Sequence, residues 1–306
     1  MSEITLLLVD DEERILRSLA PLFRNQYRVL ATTEPEEALT ILRRETVDVI
    51  ISDQRMPAML GAELLYKTRR ISPPTMRILL TGYSDLGAAI AAVNEGEIFR
   101  YVSKPWNAQE LRDTVAEAAA IAQQGFSGPA CLPTETERDR VKVLVIEDDT
   151  KTMDTIREIT RDGCDDECEL YCVDNLEEAT ELLRCEEIGL IVTELRVDEE
   201  DTISTIKALK RYQPNVVTVV VTSYRDNMAL IGLINEGQIY RFLPKPVSRT
   251  LLARSLQSAL HHHRLLRIAP TIRDRYTVLP SLEERQDMLP ARLRGLITRM
   301  RRCSST

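Results

Sequence analysis

Histidine is scarce in this chain of 306 residues: there are three, consecutive at His261, His262 and His263. Catalysis through a Ser-His-Asp or Cys-His pair, or a metal held by scattered histidines, has almost no raw material here. Glycine is nearly as thin, with 11 in all and no GxGxxG or GxxxxGK, so the usual dinucleotide and phosphate-cradling loops are missing. No apolar run approaches the roughly 20 residues of a spanning helix, and Met1–Ser2–Glu3–Ile4 does not read as a signal peptide. Basic residues are outnumbered, 40 Lys and Arg against 48 Asp and Glu, for a net charge of −8. That balance argues against wholesale attraction to nucleic acid or an anionic membrane. The expected setting is the cytoplasm, where the six cysteines are expected as thiols rather than a disulfide framework. Cys164, Cys168 and Cys172 recur every four residues, yet the spacing matches no paired CxxC zinc pattern, and Asp165, Asp166 and Glu167 disfavour thiolates. Any phosphate chemistry must run on carboxylates.

What the chain does have is a repeat. Val93–Asn107 reads VNEGEIFRYVSKPWN and Ile234–Ser248 reads INEGQIYRFLPKPVS, seven of fifteen positions identical at an offset of 141. The same offset links Ala38 with Ala179 and Thr81 with Thr222, whereas Asp11 and Asp148 are 137 apart. Four residues are therefore inserted in the second copy, around Asp162–Glu169. At 43% hydrophobic residues, two ordinary cores are within reach.

Each copy alternates short apolar runs with helix-period segments. Leu6–Val9, Val49–Ile51 and Arg77–Leu80 read as strands covered on both faces, because they are apolar without alternation. Glu12–Phe23 and Glu34–Arg44 carry apolar residues three and four apart, the spacing of a helix face. Five strand–helix units in each copy predict a parallel sheet with helices on both sides, whose ligands sit at the carboxyl ends of the strands. Those ends hold Asp10 and Asp11, Asp53, Thr81 and Lys104. Converging carboxylates repel unless a cation sits among them, and hard oxygen ligands with open positions suit Mg²⁺. A lysine and a hydroxyl at the rim can hold the other oxygens of a phosphoryl group on Asp53.

With Ile51–Pro57 reading ISDQRMP and Leu79–Asp85 reading LLTGYSD, the first copy resembles the receiver domains of bacterial two-component response regulators, in particular hydrogenase-type and HD-GYP-type regulators. The resemblance implies two tandem flavodoxin-like (βα)5 α/β domains, 1–123 and 141–263, joined by a linker, 124–140. It implies Asp53 as phosphoacceptor, with Asp10, Asp11, Asp53 and the backbone carbonyl of Arg55 as ligands of Mg²⁺. Thr81 matches the hydroxyl that meets the phosphoryl group, Tyr101 the aromatic switch and Lys104 the active-site lysine. A sensor histidine kinase or phosphotransfer protein is the implied donor.

The second copy departs at the acceptor: Ile191–Val192–Thr193–Glu194 aligns with Ile50–Ile51–Ser52–Asp53. Glu147, Asp148, Thr222, Phe242 and Lys245 still match the surroundings, so this is expected to be a degenerate receiver. An extra methylene misplaces the carboxylate for in-line attack. Glu194 either mimics a phosphoaspartate by reaching Lys245 and Thr222, or leaves an inert docking module; its smaller charge favours the second.

The linker is rich in Gly and Pro and reads as a flexible connector. Residues 264–306 hold ten arginines and four acids, a net +6. There Leu289, Leu293, Leu296, Ile297 and Met300 fall at helical spacing, predicting a basic amphipathic helix that packs on the acidic receivers or binds a partner. Without a GGDEF sequence, an ATPase motif or a His-Asp hydrolase pair, the expected output is protein–protein interaction, through a downstream protein, a homodimer or pairing of the two receivers. The alternative is a transcription regulator that uses the Arg-rich tail on DNA. An aspartyl phosphatase is disfavoured by Arg55, which stands where such enzymes place a second acid.

Overall fold

A computed structural model of the chain describes residues 3–82, 90, 94, 98–123, 140–164, 168–198, 200–213, 215–223, 232–237 and 239–268. The linker, apart from Arg140, and the tail from 269 onward lie outside them, as does most of the stretch after the fourth strand of each copy. The chain divides into two compact units, Met1–Gly128 and Pro129–Thr306.

In the first unit, β1 (Thr5–Val9), β2 (Arg28–Thr32), β3 (Val49–Asp53), β4 (Met76–Thr81) and β5 (Arg100–Ser103) form one parallel sheet in the order β2-β1-β3-β4-β5. β1, β3 and β4 are buried throughout, as expected of central strands with helices on both faces, while the edge strand β2 is largely accessible. Arg77 is the one cation in β4, and it stays satisfied although only 5% exposed: Nη1 donates to the carbonyl of Thr75 at 2.7 Å. The helix Glu13–Phe23 buries Leu16, Leu19, Ala20 and Phe23, a stripe that lies against Leu6, Leu8, Ile51 and Ile78. The helices Pro35–Arg44, Gly61–Ile71 and Ala108–Gln123 complete the layers.

The second unit repeats this order. β6 (Val141–Ile146), β7 (Cys168–Val173), β8 (Leu190–Thr193), β11 (Val217–Thr222) and β12 (Arg241–Pro244) form the parallel sheet β12-β11-β8-β6-β7. Two differences matter. The first helix spans Thr150–Cys164, 15 residues against 11 in the first unit, so the four inserted residues are absorbed as about one further helical turn. A small antiparallel pair, β9 (Arg196–Val197) and β10 (Glu200–Asp201), follows β8 where the first unit has only a loop.

The last helix, Arg249–Ile268, runs past residue 263 and carries the three histidines in its interior rather than at its end. His262 stacks on Tyr240 with ring centroids 4.5 Å apart, and His263 Nδ1 lies 2.9 Å from the carbonyl of Asn215. Burial lowers the pKa of His263. Two of the three histidines are therefore packed core side chains rather than cations at a helix end.

Candidate functional site

The carboxyl ends of β1, β3, β4 and β5 bring the predicted residues of the first unit together. Asp10 is 1% exposed, Asp53 5%, Thr81 1% and Tyr101 3%. Lys104, just beyond β5, reaches inward: Nζ stands 2.9 Å from Asp10 Oδ2 and 2.5 Å from Asp53 Oδ1. The second oxygen of Asp53 accepts the backbone N–H of Arg55 at 2.7 Å, and Asp10 Oδ1 accepts that of Glu12 at 3.0 Å. The backbone N–H of Lys104 donates to the carbonyl of Thr81 at 2.8 Å, which ties the lysine to the end of β4. Asp11, next to Asp10, is exposed.

Burial raises the pKa of Asp10; its bonds to Lys104 and Glu12 pull the other way, and the charge of Asp53 adds to the rise. Burial pulls Lys104 down, but hydrogen bonds to Asp53 and Asp10 outweigh it and hold the ammonium above its ordinary value. The site is thus an acidic pair clamped by one cation. Among the described residues no three acids, histidines or cysteines form a ready-made metal cage. The donors still fit a hard ion of the Mg²⁺ type, which takes one or two carboxylates, keeps its waters and relieves carboxylate repulsion.

Close approach of backbone sets the loop after Asp53. The N–H of Gly61 donates to the carbonyl of Gln54 at 3.0 Å, and a Cβ at Gly61 would fall 2.0 Å from the carbonyl oxygen of Asp53. Only glycine fits there.

The second unit brings together Glu147, Glu194, Thr222, Phe242 and Lys245 at the corresponding strand ends, with Lys245 Nζ 2.8 Å from Glu147 Oε2 and 3.0 Å from Glu194 Oε2. The longer carboxylate is used differently. Glu194 Oε1 accepts the N–H of Leu195 at 2.7 Å, and Oε2 accepts the N–H of Ser223, the residue after Thr222, at 3.2 Å. Asp148 is drawn away from the site: its Oδ2 accepts the N–H of Asp198 at 3.2 Å, in the turn between β9 and β10 where Asp198 has φ of 50°. Where the first unit has Gly61, the N–H of Thr202 donates to the carbonyl of Leu195 at 3.0 Å, and its hydroxyl donates to the carbonyl of Glu194 at 2.8 Å. Sequence reasoning found the acids and missed the turn and Ser223. The substitution of Gly61 by Thr202 was the available signal.

The family model described as the response regulator receiver domain matches residues 6–116 and again 143–257. The chain belongs to the response regulator receiver family. It is 40% identical over 126 residues to the hydrogenase transcriptional regulatory protein HoxA of Cupriavidus necator, a match covering 41% of this chain and 26% of that protein. HoxA of Bradyrhizobium diazoefficiens is 37% identical over 117 residues, covering 38% of this chain and 24% of that one. The chain thus spans about a quarter of the length of these relatives. Among solved structures, the signal receiver domain of an HD domain-containing protein from Pseudomonas fluorescens Pf-5 is 38% identical, with a TM-score of 0.40, covering 40% of this chain and 92% of that one. Both units are receivers, and no described helix is long and apolar enough to cross a membrane.

Proposed function

We propose that the first receiver is a phosphorylation switch in a phosphorelay, with Asp53 as the acceptor. The observation that carries this reading is the clamp on Asp53: a buried carboxylate with one oxygen on Lys104 and the other on the amide of Arg55. That arrangement fixes the direction from which an oxygen of Asp53 attacks phosphorus, and Lys104 stands ready to meet charge on the transferred group. Thr81, at the end of β4, supplies a hydroxyl to a further phosphoryl oxygen. The carboxylates of Asp10, Asp11 and Asp53 and the carbonyl of Arg55 would hold Mg²⁺, which when bound neutralises charge between attacking carboxylate and phosphoryl oxygens. The donor is a sensor histidine kinase or a phosphotransfer protein, and the setting is the cytoplasm. The reading of domain limits is 1–123 and 141–263, with the last helix extending the second to Ile268.

The output is protein–protein interaction through the face of β5 and its flanking segments. Tyr101 is already buried, so the switch repacks it rather than drawing it in from solvent. Such a two-state repacking needs only a few kcal/mol. A downstream protein, a second copy or the other receiver is the partner. Mass spectrometry after incubation with acetyl phosphate and Mg²⁺ tests the acceptor: one added phosphoryl group per chain is expected, and its persistence in Asp53→Asn would overturn the assignment.

A second reading, DNA regulation through the Arg-rich tail, draws on relatives named as transcriptional regulators. Retention on DNA that falls steeply with salt supports it, and no retention at low salt removes it.

A further inference from the structure

Beside the edge strand β7, the second receiver has a groove of about 520 Å³ that the phosphorylation reading does not use. It is lined by Arg140, Arg157, Thr160, Arg161, Cys168 and Cys172, together with Glu169 and Leu170. Three guanidiniums therefore face one carboxylate, and that carboxylate already accepts the hydroxyl of Tyr171 at 2.7 Å. Arg161, in the last turn of its helix, has an ordinary reason to be there, since cations suit a helix's negative end. Arg157, a turn earlier, pairs with Asp154 Oδ1 at 3.2 Å on its own helix and still lines the groove, as does Arg140 from another segment.

Thr160 is the more telling residue. It is 7% exposed, and its Oγ1 has no hydrogen-bond partner. A helical threonine ordinarily donates to the carbonyl four residues back, as Thr155 does to Lys151 at 2.8 Å on the same helix. An unsatisfied hydroxyl this deep is destabilising unless something else meets it.

The first receiver is filled at the equivalent place. At the offset of 137 along the first helix, Phe23 stands where Thr160 is and Ala20 where Arg157 is. Strand pairing sets Arg28 opposite Thr5 and Glu169 opposite Lys142, so Tyr27 and Cys168 are also equivalent. Phe23 and Tyr27 pack with ring centroids 6.4 Å apart, filling the place that Thr160 and Cys168 leave open. The second receiver has small side chains in place of the two rings and an arginine in place of the alanine.

We propose that this groove binds a small ligand through a phosphate group, with Arg157 and Arg161 as charge partners and the Thr160 hydroxyl as a neutral donor. Guanidinium forks match phosphate oxygens, and the hydroxyl completes the set at the buried end. The ligand is an input to a domain whose acceptor position is a glutamate, and it is independent of what Asp53 does.

The test uses the full chain carrying Asp53→Asn, titrated with inorganic phosphate at constant ionic strength by calorimetry and thermal shift. Saturation at one phosphate per chain is expected. Arg157→Ala with Arg161→Ala should weaken it by about tenfold or more, and Thr160→Val by several-fold. Thr160→Phe with Cys168→Tyr, which restores the ring pair, should remove binding while the melting transition persists. The proposal is overturned if phosphate fails to saturate at millimolar concentration, if chloride gives the same shift, or if binding survives the ring-pair variant. Should the arginine or ring-pair variants not fold, Thr160→Val decides: unchanged affinity there also overturns it.

Discussion

The Asp53 and Glu194 sites share a buried acid at the end of the first strand, a lysine that clamps it to the acceptor position, and a threonine at the end of the fourth strand. They differ in where the central carboxylate ends. Asp53 stops at Lys104 and at the amide two residues on. Glu194, one methylene longer, turns back on the next amide and also reaches Ser223 beyond β11. It therefore joins β8 to the end of β11 by itself, a link that in the first receiver an added phosphoryl group would have to make.

The largest expected effect separates the two sites outright. Asp53→Asn should abolish labelling by acetyl phosphate, and Glu194→Gln should leave it intact. Glu194→Asp should not add a second phosphoryl group, because Asp148 remains on the amide of Asp198 and Glu147 on Lys245. Two phosphoryl groups on that variant, read by mass spectrometry, would break the comparison.

A smaller effect lies in Lys210 of the second receiver. Burial lowers its pKa to about 7, and its Nζ donates to the carbonyl of Val216 at 2.7 Å. The unfolded chain keeps this lysine near 10.5, so between pH 7 and 10.5 it binds more protons than the folded one. Stability of the second receiver should therefore rise with pH across that window and be lowest below it. Lys210→Met should flatten the slope and add about 2 kcal/mol at pH 7, net of the lost bond to Val216. The first receiver offers an internal control: Trp106 is the sole tryptophan and packs on the first core, so its fluorescence follows that domain alone. Urea unfolding by circular dichroism should shift, while the tryptophan transition should not.

The smallest effect reverses the readouts. Asp10 has a raised pKa, so as pH rises above 3.8 the unfolded chain sheds this proton before the folded one does. Stability is lost through that interval, and the deficit is complete at neutral pH. Asp10→Asn should raise stability at pH 7, visible in Trp106 fluorescence, with the gain fading as pH falls toward 3.8. A destabilised variant at pH 7 would mean that the bonds to Lys104 outweigh burial.

Much of this was legible because it is written in runs and strand ends. β1, β3 and the Ile78–Leu80 stretch of β4 are apolar runs, and each leads into a residue of the site, so finding the sheet nearly finds the chemistry. The repeat then located the second site by register alone. What escaped depends on where an atom points. Nothing in the sequence says that Asp148 turns toward Asp198, or that His262 and His263 face the core. The groove beside β7 was hidden because the cysteine spacing drew attention to metal ligation, whereas Phe23 giving way to Thr160 was the change that opened space.

Gly61 and Thr202 bear on history as well as mechanism. A side chain at Gly61 collides with the backbone of Asp53 itself, so the loop that presents the acceptor and the glycine that permits it stand or fall together. Once Thr202 was accepted, the path after β8 had to accommodate a Cβ, and its hydroxyl now holds the carbonyl of Glu194. Restoring the first receiver's arrangement then needs coordinated changes at the acceptor, the turn and the glycine. The second receiver's departure is therefore not undone by one substitution at Glu194.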